Sequence, residues 1–179
     1  MTSHAKVYGG SLYELASEEQ LSDAILEQMI EIKKLFRENP DYLKLLCEPS
    51  IKKEERLKMI EDAFGTQAER YLVSFLKMLC ERNLLREYEG TVEEFTQRYN
   101  SDHNIAEATV ISAVALSDSQ TQALKAKLEK MSGKTISLSS KLDPSVIGGI
   151  KVMVEGKELD GTVMGRLDRI SRKLDETII

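Results

Sequence analysis

The stretch Lys141-Leu142-Asp143-Pro144-Ser145-Val146-Ile147-Gly148-Gly149-Ile150-Lys151-Val152-Met153-Val154-Glu155-Gly156-Lys157-Glu158-Leu159-Asp160-Gly161-Thr162 decides the fold. Asp143-Pro144-Ser145 is a turn signal, because proline fixes φ and the Asp and Ser side chains can bond nearby backbone. Gly148 and Gly149 permit a bulge or a close backbone approach. Ile150, Val152 and Val154 then alternate with Lys151, Met153 and Glu155, the period of a strand with one buried face. Gly156 breaks the run, Asp160-Gly161 marks a further turn, and a helix is expected to begin near Thr162.

Working outward, Ala106 to Leu116 reads as another strand. Ser117 and Gln120 form a capping box before a helix whose face is Leu124, Leu128 and Met131. Lys134 to Ser140 alternates, with Ile136 and Leu138 on one face. Val163, Leu167, Ile170 and Leu174 mark a last helix. The expected order is β-α-β-β-α, a small α+β module of about 75 residues, marginal for a free-standing core.

The first hundred residues carry helical periodicity. Ala5, Tyr8, Leu12, Leu15 and Ala16 give one apolar face to a helix over 5–16. Gly9 and Gly10 inside it cost about 1 kcal/mol each against alanine, which close approach of another helix would explain. Ser17 with Gln20 reads as a capping box for a second helix, striped by Leu21, Ala24, Ile25, Met29, Ile32, Leu35 and Phe36. Asn39-Pro40 opens a short helix carrying Tyr42, Leu43, Leu45 and Leu46. Pro49-Ser50 opens one carrying Leu57, Ile60 and Phe64, which stops at Gly65. Residues 67–82 are apolar around more than one stripe, as expected of a central helix or one that also offers a face to a partner. Asn83 is a left-handed stop. Leu85, Tyr88, Val92, Phe95 and Tyr99 stripe a sixth helix. The expected fold is mainly α with a small α+β part, a six-helix bundle over 1–104 and the β-α-β-β-α module over 105–179. The division falls at polar Asn100-Ser101-Asp102-His103-Asn104, where the period changes from 3.6 to 2.

No constellation of side chains points to catalysis, a cofactor or a metal. His4 lies near the N-terminus and His103 in the boundary loop. Cys47 and Cys80 are isolated thiols, too dispersed for a metal site. Gly133-Lys134-Thr135 lacks the upstream glycine of a phosphate-binding loop, since position 128 is Leu. The runs Lys52-Lys53-Glu54-Glu55-Arg56 and Arg166-Leu167-Asp168-Arg169 read as solvated helix faces. A net charge of −5 opposes nucleic-acid binding, which depends on neutralising phosphates. No apolar run reaches the ~20 residues that span a bilayer, and no small-molecule substrate is expected. The N-terminal residues lack the apolar segment of a secretory leader.

The ordered series Asp-Pro-Ser, Gly-Gly, strand, Asp-Gly-Thr-Val resembles the signature of the delta subunit of F-type ATP synthase, the family of the mitochondrial oligomycin-sensitivity-conferring protein. Val7 to Ala16 resembles the family's opening helix, with Gly9, Gly10 and Ser11 in place of its usual small residues. Glu48-Pro49-Ser50 is shared, while Glu81 to Leu85 matches the family's Gly-Arg-Leu turn only in part. The resemblance implies a non-catalytic protein of the peripheral stalk that holds the catalytic head against rotary torque. It implies that the helical domain grips the N-terminal helix of an alpha subunit through its first and fifth helices, and that the C-terminal module holds the b subunits. Carried onto this sequence, the partner-binding residues are Tyr8, Ser11, Leu12, Leu76, Met78 and Leu79. Asp143, Gly148, Gly149, Asp160 and Gly161 shape the backbone of the signature. The expected location is peripheral, on the cytoplasmic face of the cell membrane. The alternatives are a free helical adaptor with the same bulk properties, which only the ordered C-terminal signature opposes, and a small enzyme or ligand-binding domain.

Overall fold

Apolar residues three and four apart wind the first part of the chain into α-helices. The computed structural model describes residues 2–146 and 148–162. It is mainly helical with a small four-stranded sheet, and it divides into two compact units, Met1–Tyr99 and Asn100–Ile179.

In the first unit, α1 (Ser3–Glu18), α2 (Ser22–Glu38), α3 (Pro40–Leu46), α4 (Lys53–Phe64) and α5 (Arg70–Glu81) are followed by a 3-10 turn (Leu85–Glu87) and α6 (Tyr88–Asp102). α1 is longer than its periodicity suggests. Thr2 caps its start by accepting from the Ala5 amide at 3.3 Å. Its end corrects the expected Ser17–Gln20 capping box, because Ser17 is still helical and Gln20 takes a left-handed φ of 59°. The Gln20 amide donates to Ser17 O at 3.2 Å and the Leu21 amide to Ala16 O at 2.8 Å, the paired bonds of a Schellman stop. α2 therefore starts at Ser22 without a side-chain cap. Asn83 ends α5 in the same way, with φ 56° and its amide on Cys80 O.

Gly9 and Gly10 face α6. A Cβ on Gly9 would lie 2.6 Å from the Thr91 carbonyl oxygen, and one on Gly10 would lie 2.5 Å from the Arg98 guanidinium. The helices touch at these residues because neither carries a side chain. Edge-on rings fill the interior: Tyr13 against Phe95 at 5.3 Å, and Phe36 against Tyr88 at 5.4 Å. Burying each such side chain stabilises the unit by about 1.5–3 kcal/mol. The Tyr88 hydroxyl donates to Met29 O at 3.2 Å, and burial pushes its pKa up.

Three leucines assigned to buried stripes, Leu15, Leu35 and Leu45, are exposed instead, because each helix buries a narrower arc than its apolar count. Arg56 departs the other way. Read as part of a solvated charge run, it is buried, and its Nη1 donates to Leu46 O and to Asn83 Oδ1, both at 3.2 Å. It thereby ties together the C-terminal ends of α3 and α5.

In the second unit the sheet runs β2-β1-β3-β4, formed by β1 (Ile105–Ser112), β2 (Thr135–Leu142), β3 (Ile150–Val154) and β4 (Lys157–Asp160). β1 and β2 are parallel, joined through α7 (Asp118–Ser132), and the other pairs are antiparallel. Ala106, Ala108, Val110, Ile136 and Val152 alternate onto one buried face with Leu128 of α7. The Ser117–Gln120 capping box is present, but Met131 is exposed. β1 stops four residues before Leu116, where the Ser112 hydroxyl turns back to Val114 O at 2.7 Å.

β4 corrects the expected order. Glu155 and Gly156 both have positive φ, 47° and 77°, the requirement of a two-residue hairpin turn. Gly156 therefore reverses the chain rather than ending the sheet. The last expected helix, with Val163, Leu167, Ile170 and Leu174, and the charge run 166–169 lie outside the described residues.

Candidate partner-binding groove

Two helix surfaces in the first unit approach at Tyr8 and Arg82, where the guanidinium lies 5.8 Å from the ring centre. On α1, Tyr8, Ser11 and Leu15 are spaced by three and four and share a face. Ser11 is exposed, Tyr8 half-buried and Leu15 37% exposed. Val7, 60% exposed, extends the α1 surface beside Ser11. On α5 and its C-cap, Tyr71, Met78 and Arg82 recur at seven and four and present partly exposed atoms. Arg70 stacks over the Tyr71 ring at 4.7 Å and donates to its hydroxyl at 2.8 Å, holding that ring at the start of α5. Lys77 turns the other way, toward Glu61 of α4.

Of the six residues expected to contact a partner, Tyr8, Ser11 and Met78 have surface to offer. Leu12, Leu76 and Leu79 do not. They are 4%, 0% and 0% exposed and belong to the core beneath. Period alone cannot separate a helix's inward and lateral positions, because residues three or four apart differ by only a fraction of a turn. Leu15, Tyr71, Arg82 and Val7 were missed as surface residues. For the three apolar ones the signal is the excess of apolar residues on both helices over what one buried arc can take; for Arg82 period gives none.

The signature of the second unit forms two facing turns. Asp143 Oδ1 accepts from the Ser145 amide at 2.9 Å and its hydroxyl at 2.6 Å, and these bonds hold the carboxyl below its ordinary pKa. Its own amide donates to Ser112 O at 2.9 Å, fastening the turn to the end of β1. Gly148 and Gly149 have φ of 64° and 83°. A Cβ on Gly149 would lie 2.5 Å from Gly161 O, so this approach admits only glycine. The Gly161 amide donates to Ile150 O at 3.0 Å, and Asp160 Oδ1 accepts from the Thr162 amide at 2.8 Å. All five signature residues therefore act on backbone. Among the described residues no cluster of His, Cys, Asp or Glu could hold a metal ion, and no helix is long and apolar enough to cross a membrane.

Comparison with known proteins adds to this geometry. Residues 5–174 match the model of the family described as ATP synthase delta (OSCP) subunit. The chain is 32% identical over 161 residues to an ATP synthase subunit delta of Acetivibrio thermocellus, covering 89% of this chain and 90% of the relative. It is 33% identical over 171 residues to one of Geobacillus sp. (strain WCH70), covering 95% and 96%. A chain in the cryo-EM structure of the Toxoplasma gondii mitochondrial ATP synthase hexamer has the same fold, with a TM-score of 0.77, 14% identity and coverage of 97% and 98%.

Proposed function

The chain belongs to the ATP synthase delta (OSCP) subunit family, and from that premise we propose that it is the non-catalytic link between the catalytic head of an F-type ATP synthase and its peripheral stalk. The task is mechanical. Torque from the central shaft acts on the head, which must stay fixed relative to the membrane sector. Such a link needs two adhesive surfaces and no reacting group.

The helical residues, 1–104, grip the N-terminal helix of an alpha subunit. The observation that carries this reading is the apolar surface of α1 beside α5, where Tyr8 meets Arg82 and Val7 and Leu15 remain exposed. An amphipathic helix laid on that surface would cover these side chains through anchors at helical spacing. Tyr8, Ser11 and Met78 line the contact, while Leu12, Leu76 and Leu79 hold α1 and α5 in place beneath it. Residues 105–179 hold the b subunits. Asp143, Gly148, Gly149, Asp160 and Gly161 set the backbone of that module and touch no partner themselves. As part of such a complex the chain would sit peripherally, on the cytoplasmic face of the membrane.

Calorimetric titration of the full chain with the first ~20 residues of the same organism's alpha subunit, about 30 Å as a helix, tests the reading. A one-to-one complex is expected. Met78→Asp and Ser11→Asp should each weaken it about tenfold or more, roughly 1.4 kcal/mol, with unchanged circular dichroism. Leu79→Asp should instead unfold the first unit. A folded chain that binds no peptide would overturn the reading and favour a free adaptor.

A further inference from the structure

A second feature of the first unit is built from α2, α3, the 3-10 turn and α6, and it owes nothing to the α1–α5 groove. Phe36, Leu43, Leu85 and Tyr88 floor a cleft of about 90 Å³. Its rim carries Lys33, Arg37, Arg86 and Glu89. Lys33 Nζ lies 3.1 Å from a Glu89 carboxylate oxygen and 3.9 Å from Glu93, and the Arg37 guanidinium hydrogen-bonds the same Glu89 carboxylate. Arg86 is exposed and forms no ion pair with any described residue. Three cations and one carboxylate thus line the rim over an apolar floor, with Glu93 beside Lys33 as a second carboxylate, in a chain whose net charge is −5.

Size and charge together restrict the occupant. Sites for whole small molecules enclose about 300–1,000 Å³, and this cleft is several times smaller. It has room for one side chain of something larger. The excess positive charge selects a carboxylate, and the apolar floor suits its methylene stem. An arginine fork donates two parallel hydrogen bonds to a carboxylate, and the Arg86 fork forms no ion pair among the described residues. Glu89 acts as the resident competitor. Its carboxylate already draws on Lys33 and Arg37, and their hydrogen bonds keep it charged below the ordinary carboxylate pKa.

We propose that this cleft is a docking pocket for a glutamate side chain of a partner polypeptide, received by Arg86 and Arg37 over the Phe36–Leu43 floor, with Glu89 as the internal group it competes against. The partner segment is acidic, and the contact is independent of whatever occupies the α1–α5 groove.

The test is a proton–nitrogen NMR titration of the full chain with capped hexaglutamate, with capped hexaglutamine and free glutarate as separate arms. Hexaglutamate should shift the amides of Lys33, Arg37, Leu43, Arg86 and Glu89 and leave the second unit unchanged, while hexaglutamine shifts none. Arg86→Gln should weaken binding about fivefold, the scale of one favourable exposed charge pair. Glu89→Gln should tighten it by a similar factor, an effect that a merely structural role for Glu89 would not produce. Four results would overturn the proposal: shifts spread over the whole surface, unchanged binding by Arg86→Gln, weaker binding by Glu89→Gln, or saturation by glutarate at the same concentration. The last would make the occupant a free small anion.

Discussion

At the scale of single residues, Gly9 and Gly10 are neighbours in sequence with unequal expected responses to the same change. Alanine in a helix interior gains about 1 kcal/mol over glycine. At Gly9 that gain is outweighed, because the new Cβ would sit 2.6 Å from the backbone oxygen of Thr91, which cannot withdraw alone. Overpacking of this kind costs about 1–3 kcal/mol. Gly9→Ala should therefore lower stability by about 1–2 kcal/mol in urea denaturation. At Gly10 the obstacle is the tip of Arg98. That side chain can swing away, giving up half-exposed bonds to Glu14 and Glu94 that are worth roughly 0–1 kcal/mol. Gly10→Ala should change stability by no more than about 0.5 kcal/mol in either direction. Equal losses for both variants would contradict the close approach at Gly9. The sequence displayed the unusual glycine pair and a reason for it, yet could not tell which of the two meets backbone. Arg56 was less legible still, since nothing in Lys52-Lys53-Glu54-Glu55-Arg56 distinguishes the residue that turns inward. Its role comes from Leu46 and Asn83, ten and 27 positions away.

At the scale of elements, the β3–β4 hairpin is the feature that period reading missed. Glu155-Gly156 is a poor match to the Asn-Gly and Asp-Gly pairs that announce a two-residue turn, so from sequence the glycine reads as a break. Lys157-Glu158-Leu159-Asp160 then alternates too weakly to advertise a strand. Glu155 holds a positive φ, a conformation that costs most non-glycine residues about 1 kcal/mol or more and asparagine less. Glu155→Asn should accordingly stabilise the hairpin by about 0.5–1 kcal/mol, although it removes the Glu155–Lys134 pair, which is exposed. Gly156→Ala should destabilise it by about 1 kcal/mol. Slower and faster exchange of the β4 amide hydrogens, respectively, would report these changes. An unaffected β4 would mean that the turn does not control the strand. Helices were read more reliably than this hairpin, because α2 and α5 each repeat their apolar period over three turns or more. The end of α1 is set instead by the left-handed stop at Gln20, an identity that gives little warning of that conformation, whereas Asn83 after α5 announces its own.

At the scale of the whole molecule, the chain-long order of motifs carried more than any local pattern did. Gly149 and Gly161 lie in separate segments, yet their backbones meet, and Asp143 ties the preceding turn to the end of β1; a series that must close in this way leaves a trace in sequence. The α1–α5 surface leaves a fainter one. Leu12 and Leu79 bear the same apolar signal as Tyr8 and Met78, and only burial separates the residues that build a surface from those that display it. The central claim is that the protein transmits force and takes no part in chemistry. The most direct measurement compares ATP-driven proton pumping with ATP hydrolysis, in membrane vesicles carrying the synthase stripped of this chain and then resupplied with it. The account predicts that pumping is lost on stripping and restored by the full chain, while hydrolysis by the isolated head is the same with and without it. Pumping that persists without the chain, or hydrolysis by the isolated head that changes when the chain is added, would contradict it.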